Sequence, residues 1–275
     1  MIHFTKMQGL GNDFVVIDAI NQVINLSAEQ IRFMADRHFG IGFDQLLLVE
    51  KPVSANAAFK YRIFNADGSE VSQCGNGARC FARFVRDKDL SDQNDICVDT
   101  NAGQLILSFT DDDLITVNMG VPKHLPSEIP LLFAHEALNY EVTINGVKHV
   151  FAAVSMGNPH AVLVVDDVSN TPVAEWGRAL ESHELFPERA NIGFMQVIDR
   201  QHIKLRVYER GAAETLACGS GACGAVVIGV LQNCLDPEVN VELPGGQLVI
   251  NWAGRGEAVL MTGSASSVFD GIIDL

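Results

Sequence analysis

Basic residues are scarce: 19 Lys and Arg stand against 34 Asp and Glu, which leaves a net charge of −15. Nucleic acid and membrane surfaces both need concentrated positive charge, so neither is expected as a partner. Long apolar runs are missing too. The longest, residues 222–231, is too short to span a bilayer, and the first residues show no basic region followed by an apolar core. A cytoplasmic protein with a small-molecule partner is the expectation. Cysteine is sparse, six residues in a chain of 275, which disfavours a disulfide framework. No set of Cys and His has the spacing of a tetrahedral zinc site, so no metal is expected. Low-complexity tracts are absent, and 48% hydrophobic against 19% charged residues is the balance of an ordinary globular chain.

What is present repeats. C-G-N-G-A-R-C at 74–80 returns in altered form as C-G-S-G-A-C at 218–223, each copy setting one cysteine before Gly-x-Gly and an apolar run. G-N-D-F-V-V at 11–16 is echoed by G-N-P-H-A-V at 157–162, and I-G-F-D-Q at 41–45 by I-G-F-M-Q at 192–196. Three blocks in one order at nearly one offset predict two similar domains related by pseudo-symmetry, able to place equivalent residues on opposite sides of one cleft. Pro122, Pro126 and Pro130 mark a connector, with the domain boundary near 119. Ser27 with Gln30 predicts a capping box, and the N-G pair at 145–146 a hairpin. G-S-G-A-C-G-A at 219–225 fits a dinucleotide fingerprint, but the partner copy has Cys80 where the third glycine would stand.

A Gly-x-Gly turn feeding a helix leaves backbone N–H groups unpaired beside the positive end of the helix dipole. A cysteine there is expected to lose its proton easily. Two such cysteines, Cys74 and Cys218, suit inversion at a carbon alpha to a carboxylate, which requires a base on one face and an acid on the other. The N–H groups near Gly75, Asn76, Gly219 and Ser220 would meet the substrate carboxylate. Asn12, Asn65, Asn76, Asn158 and Asn191 lie in or beside the repeated blocks as candidate amide contacts, and Glu209 with Arg210 could read a zwitterion. Phe14 aligns with His160, and Asn65 with Glu209, which predicts that His160 and Glu209 tune a cysteine's protonation.

At these residues the chain resembles the diaminopimelate epimerase family. The motifs are G-L-G-N-D-F (9–14), G-F-D-Q (42–45), F-N-A-D-G-S-E (64–70), C-G-N-G-A-R-C (74–80), G-N-P-H (157–160), Y-E-R-G (208–211) and A-C-G-S-G-A (217–222). The resemblance implies interconversion of LL- and meso-diaminopimelate without a cofactor, with Cys74 and Cys218 as the acid–base pair. It also implies substrate contacts by Asn12, Gln45, Asn65, Gly75, Asn76, Asn158, Asn191, Glu209, Arg210, Gly219 and Ser220. Asn65, Asn158, Asn191 and Arg210 would read the distal amino acid end. The implied fold class is α/β (α+β): two similar domains, each a mostly antiparallel mixed sheet wrapped around a central helix. The domains would be 1–118 plus 263–275, a returning final strand, and 119–262. A homodimer is implied as well.

Overall fold

The computed structural model describes residues 1–72 and 74–275; Gln73, which precedes the first repeated cysteine, lies outside them. The chain folds as two compact units, Met1–Asn118 with Thr262–Leu275, and Met119–Met261. The first unit runs β1 (Ile2–Gly9), β2 (Asn12–Asp18), α1 (Ala28–Ala35), β3 (Gln45–Glu50), β4 (Phe59–Asn65) and β5 (Glu70–Val71). It continues with α2 (Gly75–Asp87), β6 (Asp95–Thr100), β7 (Gly103–Phe109) and β8 (Ile115–Asn118). The second unit runs β9 (Tyr140–Ile144), β10 (Val147–Ser155), β11 (Pro159–Val164), α3 (Val173–Glu181), β12 (Asn191–Asp199), β13 (His202–Glu209) and β14 (Ala213–Thr215). After α4 (Gly219–Leu231), β15 (Glu238–Leu243) and β16 (Gly246–Asn251), β17 (Leu260–Gly263) leads back to the first unit, where β18 (Ser266–Ile273) pairs antiparallel with β1.

The two units share one pairing scheme. β2 is parallel to β3 as β11 is to β12, while β3–β4 and β12–β13 are antiparallel. β4 is parallel to β6 as β13 is to β15. Each unit is thus a mixed, mostly antiparallel sheet. α2 packs against β1, β2, β3, β7, β8 and β18, and α4 against β10, β11, β12, β13 and β16. The second helix is apolar nearly all round, as a helix enclosed by a sheet should be. A shorter helix covers the opposite side. Ile31 and Met34 of α1 pack with Val15, Ile17, Leu46 and Leu48, and Val173 and Leu180 of α3 with Phe151, Ile192 and Phe194. The α1 capping box is formed, Ser27 Oγ accepting from Gln30 N–H and Gln30 Oε1 from Ser27 N–H.

Register corrects one sequence alignment. Phe14 pairs with Gln45 and His160 with Asn191, so the counterpart of Gln45 is Asn191, not Gln196. The shared letters I-G-F-x-Q are a coincidence of composition, because strand position is decided by pairing rather than by letters. Gln196 lies within β12, where its side chain accepts from Val168 N–H at 3.2 Å.

Candidate active site

Cys74 and Cys218 are the N-cap residues of α2 and α4, both with extended backbone. The Gly-x-Gly is therefore not a turn before the helix but its first turn. Its second glycine serves close packing. A Cβ on Gly77 would lie 2.6 Å from Tyr61 Oη, and one on Gly221 3.0 Å from Val207 Cγ2 and 3.2 Å from Cys218 Sγ. The helices can approach their sheets, and Cys218 keeps room for its sulfur, only where that side chain is missing.

In the second unit Cys218 Sγ donates to Glu209 Oε2 at 3.1 Å, and Ser220 Oγ lies 3.7 Å from the sulfur. Glu209 Oε1 accepts from Thr215 Oγ1, which β14 brings back alongside β13. Burial pushes the Cys218 thiol well up, and the adjacent Glu209 charge and hydrogen bond add to it; Gly221 N–H and Ser220 only partly offset this. The expectation of a readily lost proton is thus corrected for Cys218, because a sulfur enclosed against a carboxylate favours the thiol despite the helix dipole.

His160 is 1% exposed, and burial, reinforced by the Arg210 charge, pulls its pKa down to about 3. Its Nε2 bonds Asn158 Oδ1 at 3.0 Å, and Asn158 Nδ2 donates to Ser220 Oγ at 3.4 Å. The expected titrating partner of a cysteine is instead a neutral ring that orients an amide. Asn191 is buried, accepting from Arg210 N–H at 2.8 Å and donating to Pro159 O at 3.5 Å. Arg210 itself is exposed and its Nη1 donates to Glu188 O at 3.1 Å.

In the first unit a chain of side chains begins at Asp44. Asn12 Nδ2 donates to Asp44 Oδ2 at 2.7 Å, Asn76 Nδ2 to Asn12 Oδ1 at 3.4 Å, and Arg79 Nη2 to Asn76 Oδ1 at 3.0 Å. A carboxylate can only accept and a guanidinium only donate, so the two charged ends fix which way both amides face. Arg79 is fully buried and also holds Ser264 O at 3.1 Å. Behind Asp44, Asp13 accepts from Lys6 Nζ at 2.6 Å and from both Arg37 terminal nitrogens at 2.9 Å. Gln45 and Asn65 stand opposite each other on β3 and β4, Gln45 Nε2 donating to Asn65 Oδ1 at 2.9 Å. Gln45 Oε1 is buried without a hydrogen-bond partner among the described residues.

In the first unit the contacts join Asn12 to Asn76 of α2 and Gln45 to Asn65; in the second they join Glu209 and Ser220 to Cys218, Asn158 to Ser220, and Asn191 to Arg210, with Gly75 and Gly219 directly after the two cysteines. Asp44 and Arg79 sit inside the family motifs, but their roles emerge only from the contacts they make. Thr215 carries no signal in the sequence. Among the described residues no group of three or more His, Cys, Asp or Glu side chains is disposed to hold a metal, and no helix is long and apolar enough to cross a membrane.

The family model for diaminopimelate epimerase matches residues 4–125 and 152–268. A hydroxyproline epimerase from Agrobacterium vitis with bound trans-4-hydroxy-L-proline is similar at TM-score 0.71 and 13% identity, over 98% of this chain and 91% of that one. A phenazine biosynthesis protein of the PhzF family from Bacillus anthracis is similar at TM-score 0.69 and 16% identity, over 100% and 99%. A methylitaconate-delta-isomerase follows at TM-score 0.62 and 12% identity, over 98% and 94%. At these identities the likeness to solved structures is one of fold. The family model, in contrast, matches most of both halves: the chain belongs to the diaminopimelate epimerase family and is an enzyme of the epimerase type.

Proposed function

We propose that the chain interconverts LL- and meso-2,6-diaminopimelate by cofactor-independent proton transfer between Cys74 and Cys218, as part of lysine and peptidoglycan precursor synthesis. The observation that carries the proposal is the cysteine at the N-cap of each central helix, one of them bonded to a carboxylate. Inversion by two bases requires one sulfur at each face of the reacting carbon. Cys218, kept protonated by burial and by Glu209, supplies the proton in one direction while Cys74 acts as the base, and the two exchange roles in the other. The α-C–H bond breaks as a Cys74 S–H bond forms; the Cys218 S–H bond breaks as the new C–H bond forms on the other face. Negative charge growing on the substrate carboxylate is met by N–H groups of the first helical turns at Gly75, Asn76, Gly219 and Ser220.

Substrate choice is supported by the amides. Gln45 Oε1, a buried acceptor in want of a donor, suits an ammonium group, and Arg210 with Asn65, Asn158 and Asn191 suits a second amino acid end. The same proposal includes operation in the cytoplasm as a homodimer, testable by light scattering of the eluted protein. Incubation with LL-diaminopimelate in deuterated water tests the reaction. Deuterium should appear at the α-carbon together with the meso isomer, and Cys74→Ala or Cys218→Ala should each slow this by at least about a hundredfold. No incorporation would refute the enzyme reading, while exchange of proline alone would refute the substrate.

A further inference from the structure

Gln45 does not stand alone. Its amide is the last link of a chain that starts at Asp67 in the turn between β4 and β5. Ser69 Oγ donates to Asp67 Oδ1 at 2.6 Å, and Ser69 N–H donates to the same oxygen at 2.8 Å. Asn65 Nδ2 donates to Ser69 Oγ at 3.2 Å, and Asn65 Oδ1 accepts from Gln45 Nε2 at 2.9 Å. The chain ends on Gln45 Oε1, buried and without a partner among the described residues.

Each link constrains the next. An ionised carboxylate has no proton to give, so the Ser69 hydroxyl must point its hydrogen at Asp67 and turn a lone pair to Asn65. That lone pair demands the NH2 side of Asn65, which leaves Asn65 its carbonyl for Gln45. Gln45 must then answer with its own NH2 and present oxygen at the far end. Reversal of any one amide would set oxygen against oxygen or nitrogen against nitrogen. The turn is fixed independently: Asn65 N–H donates to Ser69 O at 2.8 Å and Gly68 N–H to Asn65 O at 2.9 Å. Gly68 has φ +85, and a Cβ there would lie 2.7 Å from Ala28 O.

We infer that Asp67 and Ser69 are positioning residues that set the polarity of Asn65 and Gln45, so that Gln45 offers an acceptor and selects substrates bearing a hydrogen-bond donor, an ammonium group, at that end. Neither touches the substrate. Both lie in an exposed turn, and their contribution is the direction of the chain. This rests on the reading of the site as one for an amino acid with a second amino group.

The test uses Ser69→Ala, Asp67→Ala and Asp67→Asn in the full chain. Ser69→Ala keeps the backbone turn but removes the hydroxyl; Asp67→Ala frees that hydroxyl to donate to Asn65. Asp67→Asn keeps an oxygen that accepts from both Ser69 groups and should behave as the parent. Neutron diffraction from deuterium-exchanged crystals, which tells a deuterated amide nitrogen from oxygen, reads the chain without any substrate. Gln45 nitrogen should face Asn65 in the parent and in Asp67→Asn, and turn away in the two alanine variants. Unchanged orientation in both alanine variants overturns the proposal. In parallel, the preference for diaminopimelate over 2-aminopimelate should fall roughly ten- to a hundredfold in the alanine variants, through KM and not kcat, as for a lost hydrogen bond to a charged group. If the orientation reverses while the parent shows no activity on diaminopimelate, the relay stands and the substrate assignment fails.

Discussion

At the scale of single residues, the proton affinity of Cys218 is the property that geometry decides. The sulfur is enclosed and faces Glu209, so the thiol persists to higher pH than an ordinary cysteine. Replacing Glu209 by Gln removes the charge that opposes the thiolate. The folded-state pKa of the thiol then falls, the acid form is lost at lower pH, and the alkaline limb of the kcat/KM profile should move to lower pH, as rate measurements across pH would record. His160 makes the opposite case. Burial already holds the ring neutral across the range where thiols titrate. His160→Ala should leave both limbs of that profile in place and raise KM roughly three- to tenfold through a loosened Asn158. A shifted limb would show that the ring does exchange protons. Neither distinction is legible in the sequence: the alignment of Phe14 with His160 marks the position, but protonation depends on enclosure and on neighbours distant in the chain.

At the scale of elements, the Gly-x-Gly that stands out in the sequence is the start of each central helix and a point of close approach. Gly221→Ala would press a methyl group against Val207 and the Cys218 sulfur. A loss of about 1–3 kcal/mol in urea unfolding is expected, with a slowed α-proton exchange that reports the displaced sulfur. The capped α1, the N-G hairpin of β9 and β10 and the two central helices are all readable, since each carries strong local chemistry. β5 and β14 are not. They are two and three residues long, with no alternation to read, and exist because β4 and β13 offer them partners. Yet β14 delivers Thr215 to Glu209, so part of the site's electrostatics rests on the element least visible in the sequence.

For the whole molecule, acid stability follows from the charges behind Asp44. Burial works against ionisation of Asp13, but hydrogen bonds and charges from Arg37 and Lys6 outweigh it and hold the carboxyl well below the usual carboxylate range. A depressed folded-state pKa contributes stability that is present above the unfolded value near 4 and is lost as pH falls towards the folded value. Equilibrium unfolding of the parent should therefore weaken below about pH 4, and Asp13→Asn, less stable at neutral pH, should show a flatter decline over that window. The duplication itself has a further consequence. Gln45 and Asn65 lie 20 residues apart along the chain, whereas Asn191 and Glu209 lie 18 apart. The difference lies away from the cysteine end: β3 and β4 are joined through residues 51–58, whereas the longer β12 and β13 are joined by two residues with a register shift between Val197 and Asp199, and Ile192 still pairs with Tyr208 as Leu46 does with Phe64. In these two hairpins the length change is taken up towards the tip, which leaves the proton-handling ends free to diverge in chemistry while their pairing stays fixed.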